Sequence, residues 1–268
     1  MLSAPGSSRP VEEVVVRAFF APLANVLVRV LLLVRAPPPA LVGLHASVGL
    51  VAAGFLKEGA LVVAALLLQL KTLLDNADGR LARVSGRVTL LGRYLDTEAD
   101  LVVNAVLFAA LASATGEVVL ALVSFLALTL TLSVDFNVSV LFAEAHGAAA
   151  PDPAPTGGAL ERACALGYRA VFAPQDRLVR RFAERRLERV LAVETDPGRA
   201  RAATLAYHDR GTVAVLANLG LSTQLAVLGV CLVLGAPEVY LWLVLACLGL
   251  LPVLQLRRER RAAGAPAG

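Results

Sequence analysis

The chain has 268 residues, 57% of them hydrophobic, with a mean hydropathy of +0.71 and a formal net charge of only +4. That apolar content exceeds what a soluble core of this size needs, and the small charge excess gives no support to nucleic-acid binding. The composition is that of a polytopic membrane protein, with an all-α fold.

Residues 1–10, rich in Ser, Pro and Gly, are expected to be disordered and show no cleavable signal-peptide pattern. Across 11–36, Arg17, Arg29 and Arg35 leave only the short run Ala18 to Val28 free of charge. This suits an amphipathic helix lying along the membrane surface better than one crossing it. After Pro37-Pro38-Pro39 come six apolar stretches, at about 40–56, 60–74, 94–115, 117–142, 211–234 and 238–256. Several fall slightly short of the roughly 20 residues that span a bilayer, so their ends must extend into polar flanks. We therefore expect one six-helix transmembrane domain over 37–258, containing a loop at 147–210, and a disordered basic tail at 259–268.

Charge placement predicts topology. The connectors Lys57-Glu58-Gly59, Gly116-Glu117 and Gly235-Ala236-Pro237 contain one basic residue between them. The opposite side carries Arg80, Arg83, Arg87 and Arg93, the arginine-rich loop, and Arg257, Arg258, Arg260 and Arg261. By the positive-inside rule both termini face the cytoplasm, which suggests a cell inner membrane. In the loop, Pro151, Pro153 and Pro155 should end the fourth span's helix, and Pro174-Gln175-Asp176 reads as the first turn of a new one. Beyond it, Arg177, Arg180, Arg181, Arg185, Arg186 and Arg189 would lie on anionic headgroups, with Leu178, Phe182, Leu187 and Leu191 as apolar partners.

Cys164, Cys231 and Cys247 are too scattered for a disulfide frame, and His45, His146 and His208 suggest no metal site or nucleophile triad. The aspartates are different. Asp75, Asp78, Asp96 and Asp100 sit at the cytoplasmic ends of two consecutive spans. Each ionised Asp near the middle of a span costs about 2.5–3.5 kcal/mol, so compensating cations are required. If the second span stays helical through Arg83, Asp75 and Asp78 share one face, as do Asp96 and Asp100 on the next helix. Facing carboxylate pairs suit hard ions such as Mg2+ or Mn2+. Gly79, Ala82 and Gly92 leave backbone open to a flat group or a phosphate. Lys71, one turn before Asp75, reads as a buried counter-ion, and Asp135 is a further acid within a span.

The full string is D-x-x-D-G-x-x-A-R-x8-G-x3-D-x3-D, formed by Asp75, Asp78, Gly79, Ala82, Arg83, Gly92, Asp96 and Asp100. It resembles the signature of the CDP-alcohol phosphotransferase (CDP-alcohol phosphatidyltransferase) family of integral membrane enzymes. One departure is that Pro39 is followed by Ala40 and Gly43, where family members often carry Pro-Asn-x-x-Thr. The resemblance implies transfer of a phosphoalcohol group, such as phosphatidyl, from a CDP-linked lipid donor to a small alcohol acceptor, with release of CMP, in phospholipid biosynthesis. It further implies two Mg2+ or Mn2+ ions and a homodimer. Asp75, Asp78, Asp96 and Asp100 would be metal ligands, with Asp100 also acting as the base; Gly79, Ala82, Arg83 and Gly92 would contact the CDP donor. Arg162, Arg169 and Arg210 hint at a phosphorylated acceptor. A magnesium-dependent prenyltransferase should carry two separated Asp-rich motifs, and a divalent-cation transporter would not need the small residues at fixed offsets.

Overall fold

In the computed structural model, residues 10–148, 155–192 and 194–265 are described, and they form helices joined by short turns with no strand among them. Residues 1–9, Pro151 and Pro153 lie outside them. A π-helical turn, Val16–Phe20, runs into α1 (Ala21–Leu33); Pro22 has no N–H for the regular helical ladder, and the widened turn accommodates its ring. The bundle follows as α2 (Pro38–Lys57), α3 (Leu61–Val84), α4 (Leu90–Thr115) and α5 (Val118–Ala145). Then come α6 (Ala159–Leu191), α7 (Pro197–Tyr207), α8 (Arg210–Ala217), α9 (Leu221–Val233) and α10 (Pro237–Ala263).

By length and composition, six segments among the described residues can cross a membrane: Val16–Leu33, Pro38–Lys57, Leu90–Thr115, Val118–Ala145, Pro197–Val233 and Pro237–Ala263. Helix α3 is absent from that set because Lys71, Asp75 and Asp78 interrupt its apolar run, yet it packs along both α2 and α9 in the interior. The packed bundle is therefore α2, α3, α4, α5, α8 with α9, and α10. The N-terminal helix meets it differently. Its apolar residues from Val16 to Leu31 cluster with Leu73, Ala77 and Leu81 of α3. The contact lies on the aspartate-bearing half of α3, and Leu41 of α2 joins the same cluster.

Leu56, Leu68, Leu107, Leu111, Leu128, Leu228, Tyr240 and Leu241 form the interior, interleaved with Ala52, Ala64, Ala65, Ala110, Ala121 and Ala127. Leu66, Val119, Leu122, Leu126 and Trp242 are exposed on the outside. Lipid supplies no hydrophobic drive between helices, so small residues that allow close backbone approach hold such a bundle together. Gly49 is the sharpest instance: a Cβ there would stand 2.5 Å from Val103 Cγ1, so α2 and α4 touch at that level only because the side chain is missing.

Three segments differ from expectation. The fifth span is broken at Asn218-Leu219-Gly220, between α8 and α9. The N-terminal segment ties to both sides of the break: the Val14 N–H donates to Asn218 Oδ1 at 2.8 Å, and Glu13 Oε2 accepts from Thr223 N and Oγ1, both at 2.7 Å. A carboxylate at the start of α9 also complements the helix dipole. Secondly, α6 runs straight through Pro174 instead of starting there. Interior proline costs about 3 kcal/mol. Asp176 supplies compensation the sequence did not reveal, accepting from Tyr168 Oη at 2.7 Å and from Ser133 Oγ and Asn137 Nδ2 of α5, both at 2.8 Å. Thirdly, α10 continues through the expected basic tail to Ala263. Arg258 is buried against Tyr207, with its guanidinium 4.0 Å from the ring centroid, and Glu259 pairs with Arg186.

The arginine face of α6 is likewise partly engaged in ion pairs within the protein, at its surface. Arg180 pairs with Glu144 and Glu184, and Arg186 with Glu259, whereas Leu178 and Phe182 point outward and Val179 and Ala183 are the buried residues.

Candidate active site

Helix α3 continues past the apolar run as far as Val84, so Asp75 and Asp78 both lie within its last turns. A short turn follows, with Gly86 in the left-handed region (φ +66°), where a side chain would be strained. Thr89 then caps α4, its Oγ1 accepting from Gly92 N at 3.1 Å, which starts the helix that carries Asp96 and Asp100. Leu90–Thr115 packs on α2, and α2 packs on α3, so three helices meet at this end.

Where they meet, single ligand atoms of His45, Asp75, Asp78 and Asp96 all lie within 4.8 Å of one another. His45 Nε2 is 3.1 Å from Asp78 Oδ2 and 3.5 Å from Asp96 Oδ1. The sequence reading missed this residue. Its available signal was a polar ring in an otherwise apolar span, about two turns after the start of α2, since such a group in lipid is costly unless it has work to do. The His45 side chain is fully buried, whereas that of Asp96 is 41% exposed, so the cluster is a cup closed at α2 and open beside α4.

The fourth aspartate is set apart. Lys71 Nζ donates to Asp75 Oδ2 at 3.0 Å and to Asp100 Oδ1 at 2.5 Å, from a side chain only 1% exposed. Asp100 lies outside the four-residue group and is held by this ammonium, which serves as the counter-ion that its place one turn before Asp75 suggested. Two of the four carboxylates therefore share this fully buried ammonium while Asp78 and Asp96 face His45, and a demand for positive charge remains.

The donor set suits a divalent cation. Ligands about 2.1 Å from an ion stand about 3 Å apart when adjacent and about 4.2 Å apart when opposite, so this spread closes on one ion with shifts below about 1 Å. His45 Nδ1 and Nε2, Asp78 Oδ2 and Asp96 Oδ1 are buried atoms with no hydrogen-bond partner among the described residues. Leaving such atoms unsatisfied costs about 1–3 kcal/mol each, a cost that an ion would remove.

The small residues and arginines frame the opening. Among the described residues the Arg83 guanidinium approaches Gly79, at 3.4 Å from where a Cβ would stand, and Thr89 Oγ1 approaches Gly92, at 3.3 Å. Ala82 is partly exposed on the same helix. Arg83 makes no side-chain ion pair among the described residues, whereas Arg80 is engaged with Glu12 and Asn25 and ties the N-terminal helix to α3. On the far side of α4, Tyr94 packs on Tyr168 of α6, with ring centroids 5.3 Å apart.

Comparison with curated proteins and with solved structures finds no match. The family model described as CDP-alcohol phosphatidyltransferase matches residues 23–173, more than half of the chain and including all four aspartates, Lys71 and His45. A six-helix membrane bundle whose consecutive helices α3 and α4 bring the signature aspartates together at one end belongs, on that match, to the CDP-alcohol phosphatidyltransferase family of transferases, which move a phosphoalcohol group from a CDP-alcohol donor to an alcohol acceptor and depend on divalent metal.

Proposed function

We propose that the chain transfers a phosphatidyl group from CDP-diacylglycerol, or a closely similar CDP-linked lipid, to the hydroxyl of a small acceptor alcohol, releasing CMP in phospholipid biosynthesis. The convergence of His45, Asp75, Asp78 and Asp96 into one cup beside Lys71-bound Asp100 is the observation that carries this reading. Mg2+ or Mn2+ held by Asp75, Asp78 and Asp96 would neutralise the diphosphate, polarise phosphorus and stabilise the departing CMP.

The chain's own groups then have separate tasks. Asp100 accepts the proton of the acceptor hydroxyl as its oxygen bonds to phosphorus and the bond from phosphorus to the CMP oxygen breaks. Lys71 fixes the orientation of that carboxylate. Arg83, without an ion pair among the described residues, reaches the donor diphosphate, and the small residues Gly79, Ala82 and Gly92 admit the cytidine. The exposed side of Asp96 is the entrance for the acceptor. We place the cup on the cytoplasmic face of a cell inner membrane because the arginine-rich ends lie with it, and infer a homodimer from the family resemblance.

Release of CMP from CDP-diacylglycerol by the purified protein, with a panel of acceptor alcohols and mass spectrometry of the lipid product, tests the reading and names the headgroup. Turnover should vanish in Asp78→Ala. Absence of turnover with every donor and acceptor, or full turnover in that variant, refutes it.

A further inference from the structure

His45 belongs to the cup but not to the aspartate string, and it stands on α2, the helix where the chain departs from Pro-Asn-x-x-Thr. We propose that its imidazole is a direct nitrogen ligand of the ion held by Asp75, Asp78 and Asp96, which gives this centre a preference for Mn2+ over Mg2+. The inference rests on the metal reading above and deepens it.

Two explanations compete for a fully buried histidine beside two carboxylates. As an imidazolium counter-ion it should aim an N–H at one of the oxygens. Neither ring nitrogen of His45 has a hydrogen-bond partner among the described residues, although Nε2 stands only 3.1 Å and 3.5 Å from Asp78 Oδ2 and Asp96 Oδ1. Those two oxygens are also unpartnered. With Nε2 at 3.1 Å and 3.5 Å from two carboxylate oxygens, without hydrogen-bond alignment, and with all four ligand atoms within 4.8 Å of one another, the arrangement suits groups that share an ion.

The surroundings hold the ring in place. Gly49, one turn further along α2, lets Val103 of α4 approach to a distance no side chain would allow, and this contact brings α4, with Asp96, against α2. Lys71 meanwhile engages Asp100, so the fourth carboxylate is occupied and the imidazole completes the set. Imidazole binds first-row transition ions more readily than Mg2+, which prefers oxygen and retains its water. One nitrogen among three carboxylates therefore tilts selection towards Mn2+.

The test uses the full chain in detergent with substoichiometric Mn2+ and electron spin-echo envelope modulation. Wild-type protein should show a directly bound 14N, replaced by 15N modulation when histidine alone is 15N-labelled, and His45→Asn should abolish the signal. That variant should also lose at least about tenfold in Mn2+ affinity, with a smaller change for Mg2+. No nitrogen coupling in the wild type, no Mn2+ binding at all, or coupling that persists in His45→Asn would overturn the proposal. If the variant does not fold, the isotope exchange in the wild type decides by itself. No substrate is needed, so the two readings fail separately. Nitrogen-coupled Mn2+ without CMP release sinks the transferase reading and leaves His45 a ligand; CMP release without coupling does the reverse.

Discussion

Lys71→Met removes the ammonium that joins Asp75 to Asp100 while retaining much of the stem that fills its place in the bundle. The side chain is 1% exposed and Nζ donates at 3.0 Å and 2.5 Å, so the inner side of each carboxylate loses its partner, although their outer sides, 18% and 22% exposed, still meet solvent. Breaking a buried pair by deleting one partner costs about 3–5 kcal/mol. For a chain of this size 1 kcal/mol shifts Tm by about 2–4 °C, which gives an expected fall of about 6–20 °C in the metal-free protein. Thermal unfolding of the detergent-purified variant in EDTA, followed by circular dichroism, measures it. Added Mn2+ should narrow the gap, because the ion is the other source of positive charge for the same carboxylates. Lys71→Arg, which keeps the charge in a bulkier group, should fall between the two proteins. A Tm within about 2 °C of the wild type in EDTA would refute the reasoning, since it would mean that the two carboxylates do not depend on this ammonium.

Asp100→Asn should lower kcat by about 10²–10⁴-fold, as for loss of a general base, yet retain metal, whereas Asp78→Asn should lose both turnover and Mn2+ affinity. Equilibrium metal binding beside CMP release separates the two variants. Gly49→Ala drives a Cβ to 2.5 Å from Val103 Cγ1 and should cost about 1–3 kcal/mol of stability, with the Gly49→Ala, Val103→Ala double variant recovering most of the Tm. Asp176→Ala leaves Tyr168, Ser133 and Asn137 without their shared acceptor; a loss of about 1.5–3 kcal/mol should appear as faster proteolysis within α6. Glu13→Ala uncaps α9 at the break in the fifth span and should lower stability by about 1–2 kcal/mol, read as increased hydrogen exchange at Ser222 and Thr223.

The two ends of the α3–α4 hairpin show how far pattern alone can reach. Apolar run lengths and the offsets of three and four residues between aspartates are local quantities, and helical periodicity converts them directly into which side chains share a face. The membrane class, the helices and the paired carboxylates of Asp75 with Asp78 and Asp96 with Asp100 were therefore readable from residue order, and the glycines at Gly79 and Gly92 with them. His45 was not, because its meaning depends on how α2 is rotated about its own axis and on the absent side chain at Gly49 that lets α4 approach. The same holds for Glu13, whose carboxylate caps a helix about 200 residues away in the chain, and for Asp176, whose partners on α5 outweigh the tendency of Pro174 to start a helix. Lys71 stands between the two cases: residue order placed it one turn from Asp75, but only packing brought it to Asp100. Local periodicity decided which residues stand side by side on each helix; the contacts between helices, made by small residues and buried polar groups far apart in the chain, decided which of those faces meet and so what the site contains.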